Sequence, residues 1–143
     1  MMRDPQKTIG NLMDKQSVCY LSAVDAEGFP ETKAMLWRRI RKGIHILYFS
    51  TNTSSAHVAQ LKTNPKACVY FCDRRFFRGV VLKGTMEIME DKEHKEMLWE
   101  AGDTQYYAEG AVDPDYCVLK FTAVSGRYYS AFKSENFEID TRE

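Results

Sequence analysis

Dense apolar runs, separated by turn residues, divide the chain into strand-like segments. The first run covers Val18–Val24 and ends at the Asp, Gly and Pro of residues 25–30. A second strand is predicted over residues 32–40, and Gly43 marks the turn into a third over residues 44–49. Because the connecting turns are short, the pattern predicts an antiparallel meander of these three strands.

Later apolar runs predict three more strands, over residues 67–72, 80–89 and 116–123, and residues 126–129 favour the start of a last one. Gly84 lies inside the fifth strand and indicates a bulge or a close approach of two backbones. The strands and helices do not alternate strictly as βαβ units do, which argues against a parallel sheet. The pattern predicts an α+β fold, mainly antiparallel β, with a small barrel and helices over its ends.

Helical periodicity is confined to short segments. Residues 1–16 are predicted to form an N-terminal helix that Asp4 caps. A second helix follows the hydroxyl-rich residues 51–55, and a third is predicted from a cap at Asp91 to a stop at Gly102.

Composition limits the class of protein and its partners. The 143 residues fit one domain over residues 1–143, with residues 130–143 as a C-terminal tail. Twenty Lys and Arg balance twenty Asp and Glu, which argues against nucleic-acid or anionic-membrane partners. No apolar run approaches the roughly 18 residues of a transmembrane helix. The four cysteines lie in strand-like stretches without a CxxC pair, which indicates free thiols, a cytoplasmic location and no metal.

The motifs of dinucleotide folds, serine hydrolases and zinc proteases (GxGxxG, GxSxG and HExxH) are missing, so the most informative chemistry lies where the third strand meets the second helix. Four of the five residues 51–55 carry hydroxyls, and a helix N-terminus attracts anions. A redundant N-cap is the simpler explanation of this segment alone. Lys33 and the basic residues 38–42 are candidate cations for a phosphate, although Arg41 and Lys42 are expected at a solvated hairpin end.

Three segments stand in a recognisable order: TKAMLW at residues 32–37, LYFSTNTSS at residues 47–55 and LKTNP at residues 61–65. Together they resemble the pyridoxamine 5'-phosphate oxidase-like flavoproteins, most closely the short general-stress-protein type. The resemblance covers residues 9–129. It implies a six-stranded split β-barrel with short flanking helices, which binds FMN at the interface of a homodimer.

The resemblance also assigns cofactor contacts. It puts Lys33 in the place of the basic residue that meets the FMN phosphate, and Ser54 and Ser55 at the helix start that grips it. The implied contacts to the flavin ring and ribityl chain are Ala34, Met35, Leu36, Trp37, Ser50 and Thr51. The family often has a basic pair where this chain has Ala56 and His57; His57 could still donate to a phosphate, but the fixed positive charge is lost.

The C-terminal end departs further from the family pattern. Residues 132–140 are rather acidic, and the basic motif that holds pyridoxamine phosphate in authentic oxidases is missing, so that substrate is not expected. Candidates for the substrate side of the ring are Trp37, Arg127, Tyr128 and Tyr129, although packing is the simpler explanation for any one of the aromatics. Trp99 is expected to pack, and residues 106–107 and 113–115 to form a loop at the edge of the pocket.

The sequence therefore predicts a cytoplasmic, homodimeric FMN protein, an oxidoreductase acting on an unidentified small molecule. A flavin-binding sensor of stress or redox state, or a flavin store, fits the same residues, because they hold the cofactor and do not identify a substrate. Two further alternatives are another planar cofactor, such as haem or a deazaflavin, and a cofactor-free dimer in which the hydroxyls are only caps.

Overall fold

The computed structural model describes residues 2–140, and an antiparallel sheet runs through most of them. The strands are β1 (Val18–Val24), β2 (Pro30–Leu36), β3 (Arg41–Lys42), β4 (Ile46–Asn52), β5 (Lys66–Asp73), β6 (Arg78–Met89), β7 (Tyr116–Ser130) and β8 (Lys133–Glu138). The helices are α1 (Pro5–Asp14), α2 (Ala56–Thr63) and α3 (Lys92–Leu98), with two 3-10 turns at Ala101–Gln105 and Gly110–Val112.

The sheet has the strand order β2-β1-β5-β6-β7-β4-β3, and β8 pairs with β7 off this path. Every pairing is antiparallel. The long strand β7 has two partners on one side, because its first half pairs with β4 and its second half with β8. This arrangement confirms the predicted α+β fold with mainly antiparallel β structure.

Two details of the predicted sheet are wrong. Residues 2–140 contain eight strands rather than six, because the two-residue β3 and the C-terminal β8 were not predicted. The third predicted strand corresponds to β4 and pairs with β7 instead of β2, so there is no three-stranded meander there. The second strand stops at Leu36 rather than residue 40, because Trp37 turns into the core and Arg39 adopts a left-handed φ of 63°.

The predicted C-terminal tail, residues 130–143, is largely structured as far as residue 140. Its strand β8 pairs with the second half of β7, and the predicted last strand at Gly126 is a continuation of β7 itself. Ile139 is buried and its N–H donates to the carbonyl of Val124 at 3.0 Å. Residues 141–143 lie outside the described residues.

α1 and α3 begin after their predicted caps but end earlier than predicted, whereas α2 ends at Thr63. α1 follows an Asp4 cap, whose carboxylate accepts a hydrogen bond at 3.3 Å from the backbone N–H three residues on. Met1, which was included in the predicted helix, lies outside the described residues. α3 stops at Leu98 instead of Gly102, and the chain continues as the 3-10 turn Ala101–Gln105.

The core lies between α1 and the inner face of the sheet. Trp37 is 2% exposed, and its indole N–H donates to the carbonyl of Met13 at 3.0 Å. Its ring centroid lies 5.5 Å from that of Phe49 and 5.3 Å from that of Phe71. These contacts join α1, β4 and β5 to the end of β2, and so fix the strand that carries most of the predicted site.

Gly84 shows the close backbone approach that its position predicts. The register between β6 and β7 shifts between Lys83 and Gly84. A Cβ atom at Gly84 would lie 2.0 Å from the carbonyl oxygen of Thr122. Any larger residue would therefore force the two central strands apart.

The cysteines are all unpaired. Cys19 and Cys117 are buried, whereas Cys68 and Cys72 are half-buried on one face of β5, as their spacing predicts. Within residues 2–140, no three His, Cys, Asp or Glu side chains come together as metal ligands. Among the same residues, no helix has the length and apolar character needed to cross a membrane.

Candidate functional site

A groove of about 330 Å³ runs between β2, β4 and the 3-10 turn Ala101–Gln105, and we call it the ring groove. It contains every predicted contact on β2 as far as Leu36, together with Ser50 and Thr51 of β4. Its full lining is Lys33, Ala34, Met35, Leu36, Arg38, Ser50, Thr51, Asn52, Asp103, Tyr106 and Tyr107. Two strands that are far apart in the sheet order thus bring the predicted flavin contacts to one place.

A second cavity of about 160 Å³ adjoins the ring groove, and we call it the α2 pocket. It lies between β1, β2 and the first turn of α2, and Lys33 lines both cavities. Its lining is Leu21, Ala23, Glu31, Thr32, Lys33, Ser55, Ala56, His57 and Gln60. The structure therefore brings Lys33, Ser55 and His57 together as the resemblance implies.

The first backbone N–H groups of α2 have no acceptor among the described residues. Ser55 is the N-cap residue by its backbone, but its side chain makes no capping hydrogen bond. Within residues 2–140, the backbone N–H groups of Ala56, His57 and Val58 have no hydrogen-bond acceptor. These N–H groups and the positive end of the helix dipole favour an anion. A capping role therefore does not account for Ser55.

His57 forms the inner wall of the α2 pocket. It is 8% exposed, and its Nε2 lies 2.9 Å from Thr51 Oγ1 and 3.4 Å from Ser55 Oγ. Burial, the larger cause, and the nearby ammonium of Lys33 together lower the pKa of His57 to about 4. At neutral pH the imidazole is uncharged, so it contributes a polar contact rather than a fixed positive charge.

Lys33 is the free cation between the two cavities. Its side chain is exposed and makes no hydrogen bond or ion pair with another described residue. At the outer rim of the α2 pocket, Gln60 Nε2 donates to Glu31 Oε1 at 2.8 Å. The pocket thus has a cation where it meets the ring groove and a carboxylate at its outer rim.

Arg38 and Asp103 form the far wall of the ring groove and were not predicted there. Arg38 Nη2 lies 2.6 Å from Asp103 Oδ1, and Nη1 lies 2.7 Å from Oδ2. This hydrogen bonding lowers the pKa of Asp103. Within the basic cluster at residues 38–42, Arg38 is paired with Asp103 and Arg41 with Asp14 at 2.8 Å, so neither guanidinium is free for a phosphate.

Several predicted residues lie outside both cavities. The Trp37 side chain is in the core, so it is wrong as a candidate for the substrate side of the ring. Ser54 is exposed, and its Oγ accepts from Asn52 Nδ2 at 3.2 Å. The candidates on β7, which are Arg127, Tyr128 and Tyr129, do not line the ring groove of the same chain. The hydroxyl of Tyr129 is hydrogen-bonded to that of Tyr70.

The loop after α3 behaves mostly as predicted. Tyr106 and Tyr107 line the ring groove, whereas residues 113–115 do not. Trp99 packs, with its ring centroid 5.2 Å from that of Tyr116. These aromatic contacts hold the loop against the end of β7.

Comparison with known proteins identifies what this arrangement is similar to. A family model described as pyridoxamine 5'-phosphate oxidase matches residues 6–130. A crystallised protein of Clostridium acetobutylicum, related to general stress protein 26 of B. subtilis and of the pyridoxine phosphate oxidase family, is 38% identical. The two structures superpose with a TM-score of 0.87 over 98% of each chain. This similarity confirms the predicted split-barrel fold.

More distant relatives carry other descriptions. A pyridoxamine 5'-phosphate oxidase-related, FMN-binding protein of Nostoc punctiforme is 14% identical, with a TM-score of 0.72 over 100% of this chain and 95% of its own. That likeness shows a shared fold. Two pyridoxine/pyridoxamine 5'-phosphate oxidases from strains of Caulobacter vibrioides are 33% identical over 73 residues, which are 51% of this chain. The match spans only 32% of the length of these curated relatives.

Proposed function

Because the chain belongs to the pyridoxamine 5'-phosphate oxidase family, we propose that it binds FMN, with the phosphate in the α2 pocket and the rest of the cofactor along the ring groove. One observation carries this proposal. Lys33 and the first N–H groups of α2 have no partner among the described residues, and the Ser55 hydroxyl beside them makes only a long contact, 3.4 Å to His57 Nε2. Free donors around one cavity are what a phosphate requires.

The residues present fit a flavin mononucleotide. Lys33 and Ser55 would hold the phosphate, while Ser50, Thr51 and the backbone of β2 would hold the ribityl chain and the ring. The Glu31 carboxylate at the outer rim of the α2 pocket disfavours a second phosphate by like-charge repulsion. This argues for a mononucleotide over a dinucleotide such as FAD.

The activity that we propose is oxidation or reduction of a small molecule. FMN, when bound, supplies the redox chemistry, and the protein supplies position and electrostatic environment. Tyr106 is 67% exposed at the edge of the ring groove, so this wall is open to an incoming molecule. The acidic residues Glu135 and Glu138 of β8 support our expectation that pyridoxamine phosphate is not the substrate.

We further propose a homodimer whose interface covers the outer face of the β1-β2 hairpin. Val18 faces Leu36 across this hairpin, and Tyr20 lies on the same side. Their exposed fractions are 38%, 62% and 41%, respectively, which is high for large apolar side chains in a sheet. Leu36 also lines the ring groove, so a second copy on this face would help to enclose the cofactor.

The cellular location that we propose is the cytoplasm. Four free thiols are the observation that supports it, because reducing conditions keep cysteines unpaired.

The first test is an absorbance spectrum of the purified protein before and after addition of FMN, with any released cofactor identified by its mass. We expect flavin bands that shift on binding and survive desalting. A protein that neither retains nor perturbs added FMN would contradict the proposal. If FMN binds but is neither reduced by NAD(P)H nor reoxidised faster than free flavin by small acceptors, a sensor or flavin store is the better description.

The proposed dimer is tested separately by sedimentation of the wild type and of Leu36→Lys. A charge at this exposed apolar position is expected to shift the protein toward the monomer. A wild type that sediments as a monomer at micromolar concentration, with and without FMN, would contradict the dimer.

A further inference from the structure

We propose that Asp103 is a specificity-determining residue: by holding the guanidinium of Arg38 in a bidentate ion pair, it makes the ring groove select uncharged planar molecules over anionic ones. The inference rests on the proposed function, because a substrate of the flavin would have to enter this groove. It concerns the far wall of the ring groove, which contains none of the predicted cofactor contacts.

The ion pair faces the groove and is largely shielded from bulk water. The side chains of Arg38 and Asp103 are 16% and 6% exposed, and both line the ring groove. A second Arg38 contact, from Nη1 to the carbonyl of Leu98 at 2.9 Å, fixes the guanidinium against the end of α3. Asp103 Oδ2 also accepts from the backbone N–H of Glu100 at 3.1 Å, so both of its oxygens are in use.

At the far wall of the ring groove, the positive charge of Arg38 and the negative charge of Asp103 cancel. Of the described residues that line it, Lys33 and Arg38 are the cations and Asp103 is the anion. Lys33 is assigned to the FMN phosphate at the other end. The Glu100 carboxylate, 3.5 Å from Arg38, adds further negative charge beside the pair. An anionic substrate would therefore find no net positive charge at this wall.

Separating the pair to bind an anion would be unfavourable. Arg38 would have to exchange Asp103 for the new carboxylate or phosphate, and the buried Asp103 would lose its charged partner. The remaining surface of this wall consists of the phenol rings of Tyr106 and Tyr107, which favour flat, apolar molecules. The chemistry of this wall thus fits uncharged aromatic molecules.

The test uses the FMN-loaded protein with oxidised flavin, so that the nitro groups of the probes are not reduced. Two probes of similar size and shape, neutral 4-nitrobenzyl alcohol and anionic 4-nitrobenzoate, are titrated while the visible spectrum of the bound flavin is recorded. For the wild type we expect the alcohol to bind at least about tenfold more tightly than the anion. In Asp103→Asn, Arg38 keeps its charge but loses its bidentate partner and retains only the exposed Glu100 carboxylate, so the ratio of the two dissociation constants should move at least about tenfold toward the anion.

Two further variants separate charge from structural damage. Arg38→Gln added to Asp103→Asn removes the freed cation and should restore the preference for the neutral probe. Glu100→Gln should change the ratio less than twofold, because its carboxylate is 64% exposed and does not line the groove. General damage to the groove would weaken both probes together and leave their ratio unchanged.

The outcomes distinguish this inference from the proposed function. An unchanged probe ratio in an Asp103→Asn protein that retains its flavin spectrum overturns the role of Asp103. A wild type that binds the anion as tightly as the alcohol overturns it as well. Failure of the wild type to hold FMN, visible before any probe is added, overturns the proposed function and this inference together.

Discussion

The two ends of the site treat their positive charge in opposite ways. In the α2 pocket, Lys33 has no partner within the described chain, and the Ser55 hydroxyl has only a long contact with the neutral His57. At the far wall of the ring groove, Arg38 is bound by Asp103 through two short hydrogen bonds. The α2 pocket can therefore bind the anionic group of a ligand, whereas the positive charge at the far wall of the ring groove is already neutralised by Asp103 of the same chain. A cation near a cavity is a ligand site only if the fold has not already paired it.

The largest effect is expected from breaking the pair at the ring end. Arg38→Met would leave Asp103 buried without a cation and should lower the free energy of unfolding by about 3 kcal/mol. Urea denaturation measures this difference. The matched control is Arg41→Met, whose partner Asp14 is 45% exposed, and which should cost less than about 1 kcal/mol.

The same pair gives this prediction a pH dependence. Arg38 lowers the pKa of Asp103, so the stabilisation is present at neutral pH and is lost as the pH falls through the native pKa of Asp103. The difference in the free energy of unfolding between wild type and Arg38→Met should therefore become smaller at acidic pH. Two results would contradict a buried, stabilising ion pair between Arg38 and Asp103. One is an equal loss of unfolding free energy in Arg38→Met and Arg41→Met, and the other is a loss in Arg38→Met that does not change with pH.

The next effect concerns the α2 pocket. Lys33→Ala combined with Ser55→Ala removes the free cation and the hydroxyl beside it, and FMN affinity should fall by about 100-fold with the fold unchanged. Titration of the protein into FMN, followed by flavin fluorescence, measures it. Lys62→Ala, an exposed lysine in the last turn of α2, is the matched control and should bind as the wild type does. If the double variant bound FMN as tightly as the wild type does, the proposal that the phosphate lies in the α2 pocket would be wrong.

The smallest effect comes from His57. Its pKa of about 4 in the folded protein, against 6.5 in the unfolded chain, means that the unfolded state binds more protons between these values. Cofactor-free wild type should therefore lose stability on acidification from pH 7 to pH 4.5, by roughly 1–2 kcal/mol more than His57→Gln. Thermal unfolding at both pH values tests this. Equal losses in the two proteins would show that His57 is not held neutral by burial.

Local sequence information singled out the residues of the α2 pocket but did not assign them to a phosphate, because a redundant N-cap was the simpler explanation of residues 51–55 alone. Ser55 follows directly from the strand-to-helix junction, and Lys33 stands out because its neighbours are weakly polar. Each residue is recognised from its neighbours in the sequence, and the family resemblance adds that Lys33 and Ser55 come close together in space. The predicted ring contacts from Ala34 to Leu36 also lie in the groove, because they continue the same strand.

The far wall of the ring groove could not be predicted in the same way. Arg38 and Asp103 are 65 positions apart, and only the docking of the 3-10 turn brings them together. Trp37 was a candidate for the substrate side of the ring, but alternation along β2 and the docking of α1 turn its side chain inward. The pairing of β4 with β7 was missed for the same reason, since short turns favour neighbouring strands and long-range pairing leaves no local signal.

The most direct test of the account compares FMN with riboflavin, which differs only in lacking the phosphate. Both are titrated into the wild type and into Lys33→Ala/Ser55→Ala, with dissociation constants from flavin fluorescence. If the α2 pocket holds the phosphate, FMN should bind the wild type at least about 100-fold more tightly than riboflavin, and the double variant should largely remove that difference. Equal binding of FMN and riboflavin to the wild type would contradict the central claim that the free charge at this end is kept for a phosphate.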